Sequence, residues 1–283
     1  MTHKIVRRED FGNANYLIEI VASQIAERFR PGQFVIIRID EKGERIPLTV
    51  ADFNPEKGTI ILIFQAAGKS TRQLATLNVG DAVLDCVGPL GKPSEVEKFG
   101  RVICIGGGTG IACIYPLIRA LAQAQNEVIS IIGARTSCLL ILENEINKLS
   151  FRTCIATDDG SKGQHGLVTD VLKNLLVEHE NSGGVQRVYA IGPPVMMRVV
   201  AEITRPRNIK TVVSLNSVML DGTGMCGSCR VFIEGEMKLA CIDGPEFDGH
   251  KVNFDDLISR LAMFKDKETE AMKCFSRALG VGA

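Results

Sequence analysis

Short runs of apolar, β-branched and aromatic residues occupy positions 16–20, 34–39, 60–64 and 82–87, with turns rich in Gly, Pro, Asp and Asn between them. Such runs predict strands, because branched side chains suit a pleated, half-buried surface. Their close spacing predicts a small antiparallel β-barrel over residues 1–95. Gly88-Pro89-Leu90-Gly91-Lys92-Pro93 is expected to break regular structure and mark the exit from this domain.

After residue 100 the rhythm changes. Apolar runs at 102–105, 128–132, 153–156, 188–191 and 211–215 alternate with longer amphipathic intervals, which predicts an α/β domain over residues 96–217, a parallel sheet covered by helices. Residues 218–283 form a third, smaller module. It carries a cysteine-bearing loop and a final helix opened by Asn253, with Phe254, Leu257, Ile258, Leu261 and Phe264 on one stripe. Such a stripe is expected to dock on its own domain. The chain shows no internal repeat and no low-complexity segment.

Composition narrows the partners. With 283 residues, 45% of them hydrophobic, the chain is long enough for two or three compact domains. Its 33 basic and 33 acidic residues balance, so no basic field favours nucleic acid or a membrane surface. Trp is absent, which removes the best stacking platform for single strands. The first residues lack a signal-peptide pattern and no apolar run reaches transmembrane length, so the expected location is cytoplasmic. Of nine cysteines, Cys86, Cys104, Cys113, Cys138 and Cys154 are scattered through apolar segments and read as small hydrophobes.

Three of the remaining four carry chemistry. Asp221, Cys226, Cys229 and Cys241 reproduce the spacing of a plant-type 2Fe-2S loop, with aspartate in the first ligand slot. Glycines at 222, 224 and 227 suit a loop that must turn its N–H groups inward around a thiolate cage. Cys226 and Cys229 also fit half of a zinc knuckle, and less well a redox dithiol, which lacks its usual strand-and-helix setting here. Upstream, the strand ending at Ile105 runs through Gly106, Gly107, Gly108, Thr109 and Gly110 to Ile111 and a helix-like stretch over 113–125. A glycine turn opening a helix lets backbone approach a pyrophosphate at the helix N-terminus, so a dinucleotide is expected. Ile111 stands where the third glycine of the usual fingerprint belongs, and the second strand ends at Arg135 rather than at an acid. An arginine there suits a 2′-phosphate, which leaves NADH and NADPH open. Two later turns, at Asp158-Asp159 and Gly192-Pro193, fall at strand ends around the same crevice. In the barrel, Gly68, Ser70 and Thr71 open a helical stretch reaching Leu77 and offer donors to a phosphate, though a plain helix cap explains them equally well.

Barrel, glycine-turn sheet and iron-sulfur loop in this order resemble the ferredoxin-NADP reductase superfamily. Within it the chain is similar to the electron-transfer subunits of dihydroorotate dehydrogenase and to the small subunits of NADH-dependent ferredoxin-NADP oxidoreductase, the sulfide dehydrogenase type. The motifs are Pro31-Gly32-Gln33-Phe34, Gly88-Pro89-Leu90-Gly91, residues 107–112 and the cluster loop. The resemblance implies FAD in the barrel, with Pro47, Leu48 and Thr49 near the flavin ring, Ile63 and Phe64 flanking it, and Gly68, Ser70 and Thr71 at its pyrophosphate. Three departures stand out. The usual Arg-x-Tyr-Ser is Ile46-Pro47-Leu48-Thr49 with Arg45 one place early; Ile191 replaces the cysteine that many relatives have before Gly-Pro; and Asp221 replaces the first cluster cysteine, as in the ferredoxin-NADP oxidoreductase small subunits.

The implied function is transfer of electrons between NAD(H), FAD and a 2Fe-2S cluster, with no protein acid or base assigned to catalysis. No second dinucleotide motif and no run of four close cysteines appears, so the implied outlet is a larger iron-sulfur flavoprotein subunit, with ferredoxin reached through it and electron bifurcation in the assembled enzyme. The alternatives are an electron-transfer subunit of dihydroorotate dehydrogenase or of a sulfide or sulfur oxidoreductase, and a non-enzymatic, zinc-stabilised nucleotide-binding regulator.

Overall fold

A computed structural model describes residues 2–180 and 182–278. The first seven strands are β1 (His3–Gly12), β2 (Asn15–Val21), β3 (Phe34–Arg38), β4 (Arg45–Asn54), β5 (Thr59–Gln65), β6 (Ala82–Val83) and β7 (Asp85–Leu90). They form one antiparallel sheet in the order β6-β1-β2-β5-β4-β3-β7. Its two end strands are neighbours in sequence, joined through Leu84, so the sheet curls into a nearly closed barrel. The expected strand over 82–87 is therefore two strands. Gly88, Pro89 and Leu90 do not end regular structure but complete β7, because a terminal strand pairs on one side only and tolerates a proline. Two short helices, α1 (Ser23–Arg28) and α2 (Lys69–Thr76), lie in the barrel connections.

The second sheet is built from β8 (Arg101–Gly107), β9 (Glu127–Ala134), β10 (Arg152–Thr157), β11 (Gln164–His165), β12 (Arg187–Ile191) and β13 (Lys210–Ser214). Its helices are α3 (Gly110–Gln123), α4 (Glu143–Leu149), α5 (Val168–Glu178) and α6 (Pro194–Thr204). Beyond it come the hairpin β14 (Arg230–Ile233) and β15 (Glu236–Leu239), α7 (Ala240–Asp243), β16 (Glu246–Asp248), α8 (Phe254–Ala262) and α9 (Lys265–Ala278). The order is β11-β10-β9-β8-β12-β13-β16, parallel except for β16, which runs antiparallel to β13. The last module thus lends a strand to the nucleotide sheet instead of standing apart at residue 218. The final helix is also two helices. Asn253 caps α8 by accepting from the Asp256 N–H at 3.0 Å, and Phe264 lies past its end, 42% exposed. Among the described residues no helix is long and apolar enough to cross a membrane.

Two apolar cores cross the domain boundaries. Leu17, Ala51 and Ile63 on the outer barrel wall share one core with Ile111, Ile114, Leu117 and Ile118 of α3 and with Val102 and Cys104 of β8. Phe34 and Ile36 of the barrel share another with Ile103 and Ile105 of the sheet and with Met219, Cys229, Cys241 and Phe254 of the last module. Arg119 of α3 also reaches across to Asp52 of β4, donating at 2.6 Å.

Ser94 ties the barrel to the last module: its N–H donates to Pro31 O at 2.8 Å and its hydroxyl donates to Glu246 Oε1 at 2.6 Å. Burial pushes the Glu246 carboxyl up from 4.5 to about 7, against the opposing pull of the Ser94 hydrogen bond and the Arg187 charge. A carboxyl raised in the fold favours the protonated native state. Its contribution is complete below the unfolded value of 4.5 and is lost as pH rises through about 7. Relative to Glu246→Gln, the native chain should lose about 2–3 kcal/mol of stability on passing from pH ~4.5 to ~8, followed by urea midpoints. Parallel pH profiles for the two proteins would contradict this assignment.

Candidate crevice and cluster loop

The carboxyl ends of β8, β9, β10 and β12 open onto two neighbouring clefts of 410 and 510 Å³ that share Gln65, Gly107, Gly108, Thr109 and Pro193. The glycine turn is their common wall. It is held there by a close approach: a Cβ on Gly110 would lie 2.1 Å from Ile191 O, so only glycine lets α3 start this near β12. Above Gly108 a Cβ would meet nothing within 4 Å, the open side that a pyrophosphate needs to reach the backbone. Gly106 and Ile111 support the turn from beneath. Ile111 is 0% exposed, a Cβ on Gly106 would lie 2.8 Å from Ile111 Cα, and neither residue lines a cleft.

Arg135 and Asp158 line the 410 Å³ cleft together, placing a cation and an anion on the same wall. Asp159 does not join them. Its carboxylate accepts from the Ser161 hydroxyl at 2.6 Å and the Ser161 N–H at 3.0 Å, which holds its pKa below the usual carboxylate value and shapes the turn. Gly192 lines the larger cleft and Pro193 lines both.

Strand alternation sorts the barrel residues. Pro47 and Thr49 face the 510 Å³ cleft, whereas Leu48 between them packs against the barrel core. On β5, Phe64 is 3% exposed in the barrel core and stacks on Tyr16 at 5.9 Å, while Ile63 is buried in the core shared with α3. Neither side chain presents a face to the cleft. Gln65, one residue on, reaches both clefts; it shares the face of Ile63, so period two already marked it. At α2, the Thr71 hydroxyl donates to Gly68 O and accepts from Gly68 N–H, both at 3.1 Å, and the Ser70 hydroxyl donates to Glu44 at 2.8 Å. The hydroxyls are thus engaged locally, but a Cβ on Gly68 would meet nothing within 4 Å, so the helix start keeps an open approach suited to a phosphate. Arg45 is exposed and does not line the cleft. Cys113, read from sequence as a hydrophobe, lines the larger cleft within hydrogen-bonding reach of the Thr49 side chain, and burial pushes its thiol up.

The four expected cluster ligands fall into two pairs. Asp221 accepts from Thr223 N–H at 2.9 Å and Cys226 N–H at 2.8 Å, and these backbone donors, Thr223 first, hold its carboxyl below the usual value. The exposed Cys226 sits 3.0 Å from the Ser228 hydroxyl, which lowers its thiol. Cys229 and Cys241, 2% and 1% exposed, place their sulfurs 3.2 Å apart. Burial, then the neighbouring Cys229, pushes the Cys241 thiol up to about 12. Among the described residues no three His, Cys, Asp or Glu side chains converge as a single ion requires. A 2Fe-2S cluster takes two ligands on each iron, a division that these two pairs match. The loop depends on Gly222, with φ +73°, where a Cβ would lie 2.6 Å from Leu90 Cδ1 and 2.8 Å from Ile36 Cδ1 of the barrel.

A barrel, a glycine-turn parallel sheet and a paired-ligand loop, in this order, define an oxidoreductase of the ferredoxin-NADP reductase fold. Family profiles agree: an oxidoreductase NAD-binding domain matches residues 104–202, and the iron-sulfur cluster binding domain of dihydroorotate dehydrogenase B matches residues 216–253. The chain is 42% identical to a dihydroorotate dehydrogenase B (NAD(+)) electron transfer subunit homolog of Thermotoga maritima, over 98% of this chain and 97% of that one. It is 32% identical to the electron transfer subunit of Shouchella clausii, over 86% and 94%. The chain belongs to the family of dihydroorotate dehydrogenase B electron-transfer subunits. A solved NADH-dependent reduced ferredoxin-NADP oxidoreductase, studied for flavin-based electron bifurcation, matches with a TM-score of 0.90 at 41% identity, over 97% of this chain and 98% of that one. The cytochrome P450 reductase of Amycolatopsis, at 22% identity and a TM-score of 0.61 over 74% and 66%, shares the fold. An NAD(H), FAD and 2Fe-2S cofactor set agrees with these domains.

Gly110→Ala should push α3 away from β12 and weaken NADH binding at least about tenfold, because the clashing atom is backbone that cannot rotate aside. Fluorescence titration with NADH measures this. An unchanged Kd would remove the glycine turn from the site.

Proposed function

We propose that this chain passes electrons between NADH, FAD and a 2Fe-2S cluster on behalf of a larger iron-sulfur flavoprotein subunit, in an electron-bifurcating NADH-dependent ferredoxin-NADP oxidoreductase. The observation that carries this reading is the continuity of the sites: two clefts share one glycine turn, and Met219 both lines the larger cleft and packs in the core that contains Cys229 and Cys241. When bound, the three groups supply hydride exchange and single-electron transfer.

The residues divide the work of holding them. Gly107, Gly108 and Thr109 offer backbone to the pyrophosphate of NADH, Asp158 accepts from ribose hydroxyls, and its charge opposes the extra phosphate of NADPH that Arg135 alone would attract. Pro47 and Thr49 bound the flavin ring, Gly192 and Pro193 bound the opposite wall, and Gly68, Ser70 and Thr71 offer the α2 terminus to the flavin pyrophosphate. Asp221, Cys226, Cys229 and Cys241 ligate the cluster. Asp221 favours the ferredoxin-NADP oxidoreductase reading because the small subunits that the chain resembles also carry aspartate in that slot, a harder donor than thiolate. The names of several relatives favour the second reading, an electron-transfer subunit of dihydroorotate dehydrogenase.

Purified with its partner, the protein should be coloured, contain flavin and iron, and bleach with NADH before NADPH reaches the same extent through this chain. A colourless, zinc-containing preparation would overturn the enzyme reading, and a partner that oxidises dihydroorotate would favour the second. Asp221→Cys should keep a cluster but move its midpoint potential by tens of millivolts, read by potentiometric titration, since ligand type sets such potentials over a range of roughly a volt. An unmoved potential would mean that Asp221 is not a ligand.

A further inference from the structure

The segment 214–219 runs from the end of β13 along the 510 Å³ cleft towards the cluster loop, and Ser214, Leu215, Asn216, Ser217 and Met219 all line that cleft. It is held from both ends. Leu215, 2% exposed, donates its N–H to Pro245 O at 2.9 Å, and Met219, 5% exposed, packs in the core that contains Cys229 and Cys241. Between these anchors Ser217 is only 6% exposed, and its Oγ has no hydrogen-bond partner among the described residues.

A buried hydroxyl without a partner is costly, and in native proteins it asks for an explanation. The neighbourhood supplies one. Ser217 lines a cleft otherwise bounded by Pro47, Thr49 and Gln65 of the barrel and by Gly192 and Pro193 of the sheet. We propose that Ser217 is a contact residue for the flavin ring, donating its hydroxyl hydrogen to the ring's polar carbonyl edge. The inference rests on the flavin reading above. The adjoining cleft, with Arg135 and Asp158, suits the body of the nicotinamide dinucleotide. The segment bearing Ser217 leads within four residues to Asp221, and the ring beside a route to the cluster must be one that releases electrons singly, which a nicotinamide does not.

Ser217→Ala separates this role from a structural one, because the two predict opposite signs. Loss of an unpartnered hydroxyl should raise the melting temperature of the flavin-free protein by about 2 °C. The same change should weaken FAD binding about three- to tenfold and shift the flavin visible spectrum and midpoint potential, with NADH affinity retained. An unchanged FAD affinity and spectrum would overturn the proposal, as would weakened NADH binding beside an unchanged flavin, which would assign the hydroxyl to the nicotinamide. If the wild-type chain bound no flavin at all, the functional reading would fail, and that result is distinct from an indifferent Ser217.

Discussion

The core shared by the barrel wall and α3 sets the positions of everything else. Leu17, Ala51 and Ile63 lie against Ile111, Ile114, Leu117 and Ile118, and each buried Leu or Ile side chain contributes roughly 1.5–3 kcal/mol. The Arg119–Asp52 ion pair beside them, with side chains 25% and 30% exposed, adds at most about 1 kcal/mol. Apolar packing therefore fixes the domain orientation, and the ion pair orients one edge of it. Because α3 begins at the glycine turn, docking α3 on the barrel also brings Pro47 and Thr49 to face Gly107, Gly108 and Thr109. The crevice is a consequence of that seam.

The second interdomain core does for the cluster loop what the first does for the crevice. Phe34 and Ile36 from the barrel, the sheet strands and Met219 close over Cys229 and Cys241, while Asp221 and Cys226 stay on the outer side of the loop. One pair of the proposed ligands is thus buried and the other is near solvent. β16 ties the same module into the nucleotide sheet, and Glu246 on it meets Ser94 at the barrel exit. Three modules recognisable in sequence are one packed unit around two clefts.

Much of this was legible in the chain. The alternation of short apolar runs marked β2, β3 and β5 and the five main strands of the parallel sheet, since a strand buried on both faces reads as a continuous apolar run. β1 and β4 escaped because polar and charged residues break their pattern, and β4 contains Pro47. β16 is only three residues long, too short for any period. The cluster ligands and the glycine turn were visible because their chemistry demands spacing. Residues 214–219 and Cys113 were not, since only the docking of distant segments turns an ordinary serine or thiol towards a cleft. Leu48 and Phe64, expected beside the flavin ring, turn their side chains into the barrel core, because consecutive residues of a strand alternate between its two faces.

If the two clefts hold flavin and nicotinamide dinucleotide as proposed, their packing with the cluster loop into one unit predicts that NADH reduces the cluster within a single chain. Rapid-freeze electron paramagnetic resonance on the FAD- and cluster-loaded chain, mixed anaerobically with NADH at several protein concentrations, tests this directly. The reduced-cluster signal should grow with a first-order rate that does not depend on protein concentration. A rate that scales with protein concentration, or a cluster that NADH leaves oxidised while the flavin bleaches, would contradict the account.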